Sequence, residues 1–464
     1  MKQFNVLLIA LFIAIQGFLV PVVAQPKSLM YLRQRADANL KYLVADQRAR
    51  DRVRINETGI SFLGENGNVE FTSYWTEASE VVSAFENLSY SELQEWYDVK
   101  ANNHSEEISK KFEYYVEYPT KWDDLRIALD PGHFGGDLEK SLEKRFVKIK
   151  KENGAEISFN EADLNYYTYL MIKDKLIGKG VPASNIFNTR TKNDGAIGVD
   201  FLSFLENHFD EVAAQGIRQG WLEKVKADDL IAMYKGVNAP LANLLNDTTI
   251  RKSKLALFNF YRNVDLRERA KLINFSRPQI TIIIHYNASE NGNPDEKGFL
   301  KTTNENYNSI IVPGGFLGNE LKQVESKMNF IRLLLSPDLA NSIRLADNVL
   351  GTQERILKVP RLPFGLLDKS SSQNSKQTPF EGVYSRNLYL TMATRGPVIY
   401  GESLYQDNVN ESELLSRGDV EVTDQDGKKY MAPKRCEQIA EGYIQGITLY
   451  LNQNKSLANN QRPK

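Results

Sequence analysis

Apolar and polar positions change rhythm along this chain, and the change divides it. Residues 28–50 carry helical spacing. GISFL-GENGN-VEFTSY then alternates apolar and polar residues about a Gly/Asn-rich turn, which predicts a hairpin. Further helices are predicted from Thr76 and from Ser91-Glu92-Leu93-Gln94, which has capping-box spacing. From about residue 123 the rhythm becomes strand, loop, helix, strand. Strands are predicted at 125–130, near 186–189, at 279–285 and at 396–401, with helices at 161–177, 265–275 and 434–450. That alternation predicts an α/β fold, a largely parallel sheet flanked by helices, behind a small N-terminal α+β domain over 25–122. Two intervals, about 194–262 and 300–380, exceed a simple connection and read as helical insertions. The second includes the turn Pro313-Gly314-Gly315, an amphipathic helix at 337–350 and a Ser/Gln-rich stretch from Ser370 to Thr378. Residues 453–464 read as a polar tail.

The first 24 residues follow neither rhythm. Lys2 precedes an apolar run from Val6 to Ile15, and Val22-Val23-Ala24 offers small residues for cleavage. This is the layout of a secretory signal peptide, with Gln25 as the new N-terminus and a periplasmic or secreted destination. The rival is an uncleaved anchor, but Gln16, Gly17 and Pro21 interrupt the run early for a span. No later stretch reaches membrane length, so no membrane span is expected after cleavage.

Bulk composition narrows the partners. Lys+Arg and Asp+Glu number 58 and 59, so no field of one sign points to nucleic acid. A lone cysteine, Cys436, excludes an intramolecular disulfide and reads as a small buried residue in a helix. Trp75, Trp96 and nearby tyrosines read as core aromatics, with a glycan-stacking face as the alternative. A lysine-rich stretch from Lys140 to Lys151 reads as a solvated loop, with a groove for anionic peptides as its alternative.

Candidate chemistry gathers at element ends. LRIALDPGH delivers His133 on a glycine turn at the end of a strand, where open α/β sheets bind ligands. ITIIIHYN delivers His285, with Asn287 two residues on, and RGPVIYGES delivers Glu402. At a helix start, Asn160 is a good N-cap and Glu161 lies in the first turn, with Leu164, Tyr167 and Met171 facing inward. Singly each has an ordinary explanation: a loop hydrogen bond, a helix-dipole partner, an arginine pair. Together, two of only four histidines occupy equivalent positions, whereas His104 and His208 have no comparable setting. Two histidines and a carboxylate make the ligand set of an open catalytic zinc site. His133, Glu161 and His285 are the expected ligands and Glu402 the proton shuttle, with Asn287 or Asp130 orienting a ligand.

These motifs, over about 125–450, resemble the zinc-dependent N-acetylmuramoyl-L-alanine amidases, a family of peptidoglycan-cleaving enzymes. DPGHFGG resembles the family's Asp-Pro-Gly-His-Gly-Gly with Phe134 inserted, Asn160-Glu161 the second ligand, and IIHYN the third. Thr189-Arg190, the LRERAKLIN segment with Arg269 and Asn274, and PVIYGESLYQDN with Glu402 and Asn408 follow in the family's order. Ser403-Leu404-Tyr405 departs from the family's Gly-Phe, and Ile284 and Tyr286 are bulkier than usual beside His285. The resemblance implies a mixed six-stranded sheet, bound Zn2+, peptidoglycan or muropeptides as substrate, and hydrolysis of the N-acetylmuramic acid–L-alanine amide. It places the catalytic domain at 123–452. Some relatives carry a helix that plugs the zinc site until a partner removes it, so an activator protein is an expected partner, with either insertion offering the plug. The rivals are another zinc hydrolase of wall fragments, a peptidase or deacetylase, and a non-catalytic wall-binding or regulatory homologue.

Overall fold

The structure, a computed structural model, describes residues 29–75, 118–134, 146–190, 248–289, 298–367 and 369–460, with a few single positions between 195 and 295. The predicted signal peptide, the helices from Thr76 and Ser91, Trp96, His104, His208 and most of 194–247 lie outside the described residues.

The N-terminal part begins with helix α1 (Leu29–Leu43) and a short helix α2 (Gln47–Asp51), where one helix over 28–50 was expected. Asp46 ends the first register by capping the second helix, accepting from the Ala49 N–H. Strands β1 (Val53–Ile55), β2 (Gly59–Leu63) and β3 (Val69–Tyr74) form an antiparallel sheet, and β2–β3 is the predicted hairpin. Trp75 is buried, with its indole N–H donating to the Asn56 carbonyl, so it is a core residue.

The main sheet is built from β4 (Ile127–Pro131), β7 (Ile186–Asn188), β8 (Ile280–Asn287), β9 (Ser309–Val312), β10 (Ser375–Gln377), β11 (Val383–Arg386) and β12 (Val398–Tyr405). Between β4 and β7 stand a hairpin, β5 (Phe146–Lys150) and β6 (Glu156–Asn160), and helix α3 (Glu161–Gly178). Helix α4 (Thr248–Ser276) precedes β8. The later helices are α5 (Val324–Leu335), α6 (Asp338–Leu357), α7 (Lys369–Gln373), α8 (Tyr389–Ala393) and α9 (Val409–Leu415). A second hairpin, β13 (Val420–Thr423) with β14 (Lys429–Ala432), leads to the final helix α10 (Lys434–Asn460). Strand order is β10-β11-β9-β12-β8-β4-β7. The four strands β7, β4, β8 and β12 run parallel, while β9 and β11 run against them and β10 runs with them.

The sheet thus has seven strands where the resemblance implied six, and the interval 300–380 supplies two of them, β9 and β10, with β11 just beyond its end. That interval is built into the sheet, not only laid on it. Its strands were hard to see because they are three or four residues long. The stretch read as a lysine-rich loop enters β5 at Phe146. Val147 and Ile149 face Ile157 in a small core, while Lys148 and Lys150 alternate outward.

Strand β8 is buried along all but its last residue because helices cover both faces of the sheet. Helices α3, α6 and α10 pack on one face. On the other, Ala270 of α4 and Leu390 of α8 meet Ile283 and Val398. Cys436, fully buried in α10, accepts a hydrogen bond from the Tyr286 hydroxyl, and burial pushes its thiol up to about 11. No helix among the described residues is long and apolar enough to cross a membrane.

Candidate metal centre

Strands β4 and β8 end side by side, and the first glycine after β4 sets the distance between them. The Gly132 N–H donates to the Ile284 carbonyl at 2.8 Å, drawing the turn onto the neighbouring strand. A Cβ on Gly132 would lie 2.0 Å from His285 Nε2, so only hydrogen fits there. His133 follows in the left-handed region at φ 56°, an uncommon conformation for a side chain of its size. That bend brings its imidazole against His285, with ring centroids 4.7 Å apart and planes at 80°.

Glu161 reaches the same point from α3. Asn160 ends β6 and caps the helix, accepting from the Asp163 N–H at 2.9 Å, which places Glu161 at the first helical position. Its Oε1 lies 2.9 Å from His285 Nδ1 and 3.3 Å from His133 Nε2, and also accepts from the Tyr286 N–H at 3.2 Å. The ligand atoms of the three residues all lie within 4.8 Å of one another. Burial works to raise the Glu161 carboxyl, but the two imidazoles outweigh it and hold the group well below the ordinary 4.5. Burial lowers His285 to about 4 against the pull of Glu161, helped by His133. An ionised carboxylate beside a neutral imidazole is the protonation state that metal ligands need.

The turn that carries His133 is held by buried charge. Asp130 accepts from Thr189 Oγ1 and pairs with Arg269 at 3.4 Å. The Arg269 guanidinium also donates to the Pro131 carbonyl at 3.2 Å, to the His133 carbonyl at 2.9 Å and to Asp265 at 2.7 Å. Arg190 donates to the carbonyls of Pro131 and Gly132, and its burial, with Arg269 near, lowers it to about 9. Asn165 adds a bond to the Gly132 carbonyl at 2.8 Å. Asp130 therefore fixes the loop. The Asn287 side chain accepts from the Ala288 N–H. The hydrogen bonds of neither residue reach a ligand imidazole, so the orienting role expected of them is not seen.

Phe134, the inserted residue, is buried edge-on against Tyr261 with centroids 5.7 Å apart. It fills space under α4 and leaves the ligand turn intact. Sequence reasoning missed Tyr400, whose ring stacks on His285 at 4.3 Å with planes 10° apart. The available signal was its place two residues before Glu402, hence on the same side of β12. A cavity of about 200 Å³ opens beside the two histidines, lined further by Arg262, Leu266, Leu388 and Tyr400.

Glu402 sits on β12 as the Cα partner of His285 on β8 and of Ser309 on β9, partly exposed. Paired residues of parallel strands face the same side, so it stands one strand away from His285 of the candidate centre. A bulge follows at once, between Ser403 and Tyr405, with Leu404 at φ 58°. Bulges re-aim side chains and cluster beside active sites. Asn274 anchors the approach to this strand, donating to the Ala393 carbonyl and accepting from the Arg395 N–H, both at 2.9 Å. Asn408 caps α9.

No protein-family model matches the chain, and no curated protein does. Among solved structures the chain is similar to the CwlD amidase from Clostridioides difficile in complex with the GerS lipoprotein. The identity is 15%, the TM-score 0.36, and the match covers 71% of this chain and 100% of that one. It is similar to the N-acetylmuramyl-L-alanine amidase Ami1 from Mycobacterium smegmatis at 12% identity and TM-score 0.37, over 72% and 99% of the two chains. It is also similar to the N-acetylmuramoyl-L-alanine amidase AmiC2 of Nostoc punctiforme at 13% identity and TM-score 0.32, over 70% and 97%.

Proposed function

We propose that this chain is a secreted or periplasmic zinc-dependent N-acetylmuramoyl-L-alanine amidase, which cuts the amide between N-acetylmuramic acid and L-alanine in peptidoglycan. The observation that carries this reading is the convergence of His133, Glu161 and His285, with ligand atoms within 4.8 Å, on a sheet edge that also presents Glu402. The donor set suits Zn2+: two imidazoles and one carboxylate, no thiolate, and the steric exclusion at Gly132 that keeps His285 in place. Bound there, zinc would supply Lewis-acid polarisation of the scissile carbonyl and an acidified water.

The chain's own groups do the rest. Glu402 takes the proton of the attacking water and returns it to the departing alanine nitrogen. Tyr400 and Glu161 hold the His285 ring from two directions, so its free nitrogen keeps one heading. Arg269 and Arg190 hold the turn beneath His133. An activator protein that acts on the interval 194–262 belongs to the same reading, since Phe204 of that interval packs on Tyr261 and Tyr261 on Phe134.

Mass spectrometry of purified sacculi treated with the mature chain tests it. The expected products are stem peptides with a free L-alanine amino group and intact glycan strands, with activity lost to a chelator and restored by zinc. Cleavage within the stems, or loss of acetyl groups alone, would assign the site to a peptidase or a deacetylase.

A further inference from the structure

A second opening lies on the same edge of the sheet, at its far end. Glu402 pairs with Ser309, and Ile310 pairs with Val383, so Ser309 continues the row to Gly382. Tyr384 pairs with Gln377 in the antiparallel sense, which carries the row on to Pro379. At ~4.8 Å per strand, Pro379 stands roughly 14 Å from Glu402 along one line of backbone. Here a cleft of about 450 Å³ is lined by Tyr42, Phe364, Lys376, Gln377, Thr378 and Pro379.

The cleft pairs aromatic faces with hydrogen-bonding groups. Phe364 is partly exposed and set against Tyr384 with ring centroids 5.7 Å apart. The Tyr42 backbone is fixed by the Gly315 N–H at 2.9 Å and the Ser385 hydroxyl at 2.6 Å. Phe364 is held by its ring contact with Tyr384, and Tyr42 is half-buried against the main core. Gln377 and Lys376 are exposed, and the side chains of both lack a protein partner among the described residues. An amide both donates and accepts, an ammonium only donates, and the lining holds no carboxylate. Between the two openings lie Tyr405 and Tyr307, in edge contact at 5.7 Å and packed with Tyr384 and Phe364.

We infer that this cleft is a carbohydrate subsite that holds the glycan strand of the polymer several residues away from the amide being cut. The inference rests on the amidase reading for the identity of the polymer. Pyranose rings lay their C–H faces on aromatic side chains, and their hydroxyl and acetamido groups need the mixed donors and acceptors found here. The rival occupant is an extended peptide added to β10. That strand is three residues long and Pro379 follows within two residues of its end, so it offers little ladder for strand addition. The subsite also gives the N-terminal part a task, since Tyr42 is one of its walls.

The test uses the full mature chain and glycan strands freed of their stem peptides, with binding read by fluorescence anisotropy. Wild type binds the strands, and both Phe364→Ala and Gln377→Ala weaken that binding roughly tenfold. Phe364 also packs on Tyr384, so Gln377→Ala at an exposed position carries the result if the first variant folds poorly. No binding of strands by wild type, unchanged affinity in Gln377→Ala, or displacement by free stem peptides overturns the proposal. Strand binding needs no turnover, which separates the two readings. Binding through these residues without sacculus hydrolysis leaves the subsite standing and removes the amidase. Hydrolysis without such binding removes the subsite alone.

Discussion

Replacing Gly132 by alanine tests the centre through its narrowest contact. The added Cβ would stand 2.0 Å from His285 Nε2, 2.2 Å from Cε1 and 2.4 Å from Cδ2, where ordinary contact begins at 3.4 Å. The Gly132 backbone does not lie in the left-handed region, so the effect is purely steric. The ring must retreat by more than about 1 Å, whereas metal–ligand distances tolerate ~0.2 Å. Retreat is opposed on one side by Glu161 at 2.9 Å and on another by the stacked Tyr400 ring. Overpacking of this kind costs about 1–3 kcal/mol of stability. Losing the alignment of one ligand should weaken zinc binding by about a hundredfold or more, on the order of 3 kcal/mol. Competition titration of the metal-stripped protein against a chromophoric chelator measures the affinity, and melting curves with and without zinc measure the linked stability. Zinc affinity equal to wild type in a folded Gly132→Ala protein would show that His285 is not a ligand held as described.

Other consequences are sharper in one readout each. Glu402→Gln should reduce turnover by about 10²–10⁴-fold with zinc content unchanged, checked by metal analysis beside product release; near-normal turnover refutes the proton-shuttle role. Arg269→Met strips the Pro131 and His133 carbonyls of a donor and leaves Asp130 and Asp265 buried without their guanidinium partner. It should destabilise the fold by about 3–5 kcal/mol in denaturant titration, and a change under about 1 kcal/mol rules out the clamp. Acid should loosen the metal-free protein. His285 moves down from 6.5 to about 4 on folding, so the unfolded chain binds the extra proton between those values. Stability therefore falls as pH drops through that window. Glu161 adds loss in the same direction at lower pH, as its depressed carboxyl protonates. A melting temperature that stays flat or rises from pH 6.5 to 4 contradicts this sign.

The three residues of the candidate centre were legible because each occupies a junction with its own local signature. His133 follows a proline-glycine break, Glu161 follows an N-capping asparagine, and His285 follows a five-residue buried-type strand, Ile280 to Ile284. What joins them was only partly visible. Arg269 was marked by its motif, but the partners it brings together are 139 residues apart at Asp130 and four apart at Asp265. The four-residue spacing is one turn of α4, but nothing periodic in the sequence announces the pairing with Asp130. The sheet's outer half escaped for a different reason. SIIV and VYSR are too short for alternation to show, and their pairing, SIIV between β12 and VYSR, is set by tertiary contacts. The β5 strand was hidden by lysines whose stems alternate with two small-core residues. Tyr400 looked like one more apolar residue in a strand, and only its stacking on His285 distinguishes it.

The N-terminal helix is stitched to the rest of the molecule at closely spaced points. Asn39 donates to the carbonyls of Leu333, Leu334 and Ser336, and the Ala45 N–H donates to Phe316. Phe62 meets Phe330 edge-on, and both belong to the apolar cluster that runs through the main sheet. An expression fragment trimmed to start near residue 123 would leave the last turn of α5 with its carbonyls unanswered and a greasy face turned to water. Whoever borrows this fold as a tool, or grafts its site onto another scaffold, has to carry the leading segment along as part of the same solid body.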